Sequence, residues 1–172
     1  MNCGNQGERI SRHNRLRDAL HDAAAAAALG PIKEERFLLP GEGRRPADVL
    51  IPNWDRGQDA ALDVTVINPL QDATVLGAAA EAGHALTIAY DRKVRFVGEA
   101  CHREGISFVP LAAESLRGWH KVAIEEVKKL AGALVRQQGE EEKEAARRLF
   151  QKLSIFLQRG NLAMFLNRTL EN

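Results

Sequence analysis

Apolar and polar positions along the chain follow two different periods. Residues 11–29 read as a helix, with Ser11 at the N-cap and Gly30-Pro31 as the stop. The second half of this helix is the tract Ala23 to Ala28, which has little bulk and can lie close against a sheet. After Pro31 the pattern shortens. Residues 34–39 predict a first strand closed by the turn-rich Pro40-Gly41-Glu42-Gly43. Residues 47–51 predict a second, ended by Pro52, and residues 60–67 a third, reached through a polar connection over 53–59. Three short strands with tight connections predict an antiparallel meander.

Beyond Asn68-Pro69 an alanine-rich stretch, 74–82, stops at Gly83, and a helical segment over 87–104 ends at Gly105. Residues 106–111 predict a short buried strand whose apolar run points to a central place in the sheet. Residues 119–137 and 141–157 read as amphipathic helices, with a last short helical piece from Leu162. The expected fold class is therefore α/β. Its core over residues 11–116 is a helix, a three-stranded antiparallel meander, a helix and a strand, and residues 117–172 form a C-terminal helical extension. Residues 1–10 are expected to be disordered or a remnant linker. The extension carries more apolar residues than one small helix pair needs, so it either packs back on the sheet or docks on a partner such as a second copy of the chain.

Composition narrows the classes. A chain of 172 residues, 45% hydrophobic and 27% charged, can bury its own core and is not wholesale disordered. Lys and Arg number 24 against 23 Asp and Glu, so no global field announces a nucleic-acid or membrane partner and any basic surface must be local. Cys3 and Cys101 are too few for a disulfide framework and lack metal-ligand spacing. No apolar run reaches the roughly 18 residues of a membrane span, and the first residues resemble no signal peptide. A reducing intracellular compartment and no membrane partner are expected.

The strongest chemical signal is the set Glu34, Asp48 and Asp63, each in or beside a predicted strand. Asp63 interrupts a run that is otherwise apolar apart from Thr65. An ionised carboxylate inside such a strand costs several kcal/mol unless it is paired or binds a cation. Strand parity puts Ala61, Asp63 and Thr65 on one face and Leu62, Val64 and Val66 on the other. If the second and third strands pair, Asp48 and Asp63 converge at one end of the sheet, an oxygen-donor arrangement suited to Mg²⁺ or Mn²⁺. The competing reading pairs these carboxylates with arginines, for which Arg44, Arg45, Arg56 and Arg92 are candidates.

The ordered set Arg12-His13-Asn14-Arg15-Leu16-Arg17-Asp18, Glu34, Arg45-Pro46-Ala47-Asp48, Leu62-Asp63-Val64-Thr65-Val66, Arg92-Lys93, Phe108-Val109-Pro110-Leu111 and Leu157-Gln158-Arg159-Gly160-Asn161 spans nearly the whole chain. In that order it resembles the restriction-endonuclease-like PD-(D/E)XK fold. More narrowly, it is similar to the nuclease-like domain C-terminal to the reverse transcriptase in site-specific non-LTR retrotransposon polyproteins. The resemblance implies a metal-dependent DNA endonuclease, with Asp48 and Asp63 as ligands of Mg²⁺ or Mn²⁺. Glu34 would be an auxiliary acid, with Glu35 a less favoured substitute. Thr65 stands where the motif has its lysine. Some members of the fold take that lysine from the following helix, which makes Lys93 the candidate catalytic cation. The resemblance further implies DNA as substrate, a homodimer suited to cutting both strands, a place inside a larger polyprotein, and a nuclear site of action in a eukaryote. A zinc knuckle precedes this domain in such polyproteins, and Cys3 sits where its last ligand would be, but the other ligands are absent.

Between Arg92 and Arg136 nine basic residues stand against five acidic ones. Arg12, Arg15 and Arg17 form a second basic cluster, and Arg44-Arg45 stand just before Asp48. Arg12, Arg15, Arg44, Arg45 and Arg92 are therefore candidate phosphate contacts. The alternative for any such cluster is a solvated helix face. The histidines lie scattered, with no H-E-x-x-H or Cys/His grouping, so no imidazole chemistry is expected. Trp54 either stacks on a base or anchors its loop. Two rivals stand beside the nuclease. One is a catalytically inactive DNA-binding or assembly module that keeps the fold, favoured by Thr65; the other is a small α/β protein whose carboxylates are only structural.

Overall fold

The computed structural model describes residues 6–35, 38–39, 46–139 and 141–170. Helix α1 covers Gln6–Ala26, so Ser11 lies inside it and residues 6–10 are helical rather than linker. Strand β1 (Ile32–Lys33) pairs antiparallel with β2 (Val49–Asp55), and β2 pairs antiparallel with β3 (Gln58–Ile67). The meander is present, but its first strand precedes residues 34–39. Glu34 has φ +47°, which turns the chain out of the extended region directly after Lys33. The turn expected at 40–43 lies outside the described residues, as do residues 36–37, 44 and 45. The polar connection over 53–59 is mostly strand, closed by a two-residue turn at Arg56 (φ +49°) and Gly57 (φ +84°). Two successive left-handed residues match the twist of a hairpin, and Gly57 takes that conformation without a Cβ clash.

From β3 the chain crosses over through α2 (Val75–Ala80), α3 (His84–Lys93), a π-helical turn at Val94–Gly98 and α4 (Glu99–Arg103). It returns as β4 (Ser107–Glu114), parallel to β3 with Asp63 opposite Pro110 and Val64 opposite Leu111. The strand order is β1-β2-β3-β4, so β4 is an edge strand and not the central one. Its apolar run reflects helices packed on both faces. Pro110, which cannot donate to a ladder, was the sequence sign of an edge.

Parity along β3 is as expected. Leu62 and Val64 join Val49, Ile51 and Leu111 in the larger core, against Leu16 and Leu20 of α1. Ile67 and Ala112 face Ala85, Leu86 and Ala89 of α3 in a smaller one. Helices α5 (Lys121–Gln138) and α6 (Glu142–Leu170) share the larger core through Ala123, Val127, Leu130, Leu149, Leu153 and Leu157. The C-terminal segment thus packs back on the sheet. The break expected before Leu162 does not occur: α6 runs straight through Gly160, where a Cβ would come within 2.5 Å of the Arg12 side chain. That glycine marks a close helix approach instead of a stop. Trp54 is an anchor, packed against the larger core with its indole N–H donating to Glu126.

Candidate functional site

Strand β3 outruns its neighbour. Val49 lies opposite Leu62, and the Asp48 amide still donates to the Leu62 carbonyl at 2.9 Å, but past that point β2 has no backbone to offer. The Asp48 side chain takes over: its Oδ2 accepts the Val64 amide at 2.6 Å. The ring of His13, about two turns into α1, completes this edge. Its Nε2 lies 3.0 Å from Asp48 Oδ2 and 3.1 Å from the Val64 carbonyl. Both neighbours are acceptors, so an N–H at Nε2 serves both. The Asp48 hydrogen bond, partly opposed by burial, raises the His13 pKa.

Asp63, next to Asp48 across the strand pair, is 9% exposed. Lys93, the last residue of α3, reaches it from the helix-covered face: Nζ donates to Oδ1 at 3.1 Å and stands 2.8 Å from Oδ2. Burial is the main influence on this carboxyl and pushes its pKa up to about 6; the Lys93 charge opposes that, and the Asp48 charge adds to it. The two aspartates are therefore within electrostatic reach of each other, as the strand pairing predicts. Among the described residues neither is neutralised by an arginine, so Arg56 and Arg92 are not the expected partners.

Glu34 stands beside this pair, its backbone amide donating to the Asp48 carbonyl at 3.0 Å. Its carboxylate is held by the Arg17 guanidinium, one helical turn beyond His13. Arg12, expected on a phosphate-binding surface, is 5% exposed; its Nη1 donates to Asn161 at 2.7 Å and ties α1 to α6. Asn161 in turn donates to the Ser115 carbonyl at 2.7 Å. Arg15 and Arg92 are exposed. Arg44, Arg45 and Cys3 lie outside the described residues.

A groove of about 440 Å³ opens over the free edge of β3, lined by Arg9, Arg12 and His13 of α1, Val64 and Thr65 of β3, and Lys93 of α3 among others. Four of these side chains are basic, and among the described residues no acidic one lines it. This suits an anion approaching the aspartates. His13 is the residue that sequence reasoning missed. A single histidine outside any known spacing gives no signal, although its place in a basic stretch of a helix was visible.

The donor set partly fits a hard divalent cation. Asp48, Asp63 and the Val64 carbonyl are all oxygen donors, as Mg²⁺ and Mn²⁺ require. Among the described residues, however, no three His, Cys, Asp or Glu side chains form a ready metal-binding group. No helix among them is long and apolar enough to cross a membrane. No protein-family model and no curated protein matches this chain.

Proposed function

We propose that this chain is a metal-dependent DNA endonuclease domain of the restriction-endonuclease-like PD-(D/E)XK kind, derived from a non-LTR retroelement polyprotein. The observation that carries this reading is the Lys93–Asp63 ion pair, with Asp48 close enough to act on Asp63 electrostatically, beside a groove whose charged lining among the described residues is wholly basic. Asp48 and Asp63 would hold Mg²⁺ or Mn²⁺. Such an ion, when bound, supplies charge neutralisation on the phosphodiester and a more acidic water. The chain's own residues do the rest. Lys93 brings a cation beside Asp63 from α3 and compensates for Thr65 in the motif's lysine position. Its ammonium would orient the attacking water and oppose charge growing on the phosphate. Arg9 lines the groove on which a neighbouring phosphate would rest, while Arg12 beside it stays committed to Asn161. In a eukaryote the domain would act in the nucleus, and pairing of two copies would allow both strands to be cut.

The test is nicking of supercoiled plasmid with Mg²⁺ or Mn²⁺. Wild-type protein nicks, EDTA stops it, and Asp63→Ala and Asp48→Ala lose at least about a hundredfold, the scale of removing a transition-state charge contact. Metal-independent nicking, or nicking unchanged in Asp63→Ala, overturns the reading. A second reading is a catalytically inactive DNA-binding or assembly module. The observation favouring it is that Asp48 and His13 already satisfy the open edge of β3 without any cation. DNA retention on a gel without cleavage supports that reading.

A further inference from the structure

The helix that carries Lys93 changes phase directly after it. Ala85, Leu86 and Ala89 set the face of α3 that packs on the sheet. Two turns of an unbroken α-helix take about seven residues and three turns about eleven, which would return Phe96 and then Ala100 to the line of Ala89. The observed face is different. Cys101, one residue later than that count, is 0% exposed, and Phe96 is 70% exposed. The π-helical turn at Val94–Gly98 makes the difference, because hydrogen bonds from i to i+5 fit an extra residue into a turn and rotate everything beyond it. A phenylalanine is thereby moved from the packed face to solvent.

Such turns occur mostly at functional sites, and this one stands beside the basic groove. Phe96 follows three residues after Lys93, which lines the groove and pairs with Asp63. At 1.5 Å per residue, less than about 5 Å separates the two along the helix axis. Arg92, four residues before Phe96 and so about one turn below it, is exposed, as is Arg95. Between Asp91 and Arg103 four basic residues stand against two acidic ones, so the surroundings favour an anionic partner over an apolar protein surface. Cations for the backbone and an open ring for a base are the two parts of a single-strand binding surface. A base inside a continuous duplex has no free face to offer, so the ring requires an unpaired one.

We propose that Phe96 is a stacking platform for an unpaired DNA base flanking the groove, and that the chain therefore binds DNA with unpaired bases more tightly than continuous duplex. Arg92 holds a phosphate of the same strand, one turn away. The proposal rests on the reading of the chain as a DNA endonuclease.

The experiment titrates the full chain, in EDTA so that nothing is cleaved, into oligodeoxynucleotides carrying 2-aminopurine, either single-stranded or fully paired. Wild type binds the single strand more tightly and quenches its fluorescence, as a stacked base requires. Phe96→Ala weakens single-strand binding at least about fivefold, the lower end of the loss of one stacked base, and leaves duplex binding within twofold. Phe96→Leu keeps most of the apolar bulk and loses the quenching, whereas Phe96→Tyr retains both binding and quenching. A side chain this exposed contributes little to the core, so the thermal melts of all three variants match wild type. Equal single-strand binding by wild type and Phe96→Ala, or quenching retained in Phe96→Leu, or a wild type with no preference for the single strand, overturns the role of Phe96. The endonuclease reading stands apart from that result, because plasmid nicking with Mg²⁺, measured on the same wild-type preparation, supports or overturns it independently.

Discussion

Lys93 and Asp63 come together from different layers of the protein: the ammonium at the end of α3 stands 2.8 Å from a carboxylate oxygen buried in the middle of β3. The pairing is unequal. Lys93 is 30% exposed and Asp63 only 12% by side chain, so water stabilises the cation while the anion depends on its partner. That is why the carboxyl titrates at about 6 in spite of an ion pair.

A pH dependence of stability follows. The Asp63 value in the folded chain lies above its ordinary 3.8, so the native state keeps a proton that the unfolded state releases. Stability contributed by this group falls as pH rises from about 4 to about 6, and the cost is fully present above that window. A shift of this size corresponds to about 3 kcal/mol. Asp63→Asn removes it, leaving Lys93 to regain water. In urea denaturation the variant gains up to about 3 kcal/mol over wild type at pH 8 and almost nothing near pH 3.5. A gain that does not vary with pH contradicts the account.

Asp48 has a structural duty that precedes any chemistry. Asp48→Ala strands the Val64 amide at the sheet edge and costs about 1–3 kcal/mol, the usual penalty of an unpaired buried donor. Asp48→Asn keeps a carbonyl acceptor and costs less than half as much. Amide exchange at Val64, measured by NMR, accelerates in the alanine variant and not in the asparagine one. Equal exchange in both removes the edge-capping role.

Glu34 separates ion pairing from site membership. Its carboxylate is paired with Arg17, and the pair is partly exposed, so a double-mutant cycle gives a coupling of about 1 kcal/mol or less. Glu34→Ala is expected to nick plasmid at close to the wild-type rate where Asp63→Ala does not. A loss as deep as that of Asp63→Ala would return Glu34 to the site.

Two glycines in helices behave oppositely. A Cβ on Gly160 meets Arg12 at 2.5 Å and its Cβ at 2.7 Å, so Gly160→Ala overpacks the α1–α6 contact and costs about 1–3 kcal/mol. At Gly132 in α5 the nearest atom is 3.6 Å away, an ordinary contact, so Gly132→Ala gains about 0.5–1 kcal/mol of helix propensity. Thermal melts of the two variants should move in opposite directions.

Much of the fold was legible because it depends on local periodicity. The alternation through Leu62, Asp63, Val64 and Thr65 fixed which side chains share a face, and the four-residue spacing of Leu149, Leu153 and Leu157 fixed the buried stripe of α6. The convergence of Asp48 with Asp63 was legible for the same reason, since a tight hairpin leaves only one plausible pairing. Local signals misled where packing overrides them. The stretch between Leu157 and Leu162 reads as a break but is continuous helix, with Gly160 at a close contact, and the run around Leu111 reads as central but is an edge covered by helices.

What the amino-acid order alone determined, then, was the set of elements, the face each residue occupies, and the isolation of a costly carboxylate in an apolar strand. These follow from backbone geometry with periods of two and of about 3.6 residues. Only the tertiary structure decided the partners: Lys93 for Asp63, His13 for Asp48, Arg17 for Glu34, Asn161 for Arg12. Those choices depend on how far one strand outruns another and on which helix end lies above the gap, and contacts between distant segments of chain set both.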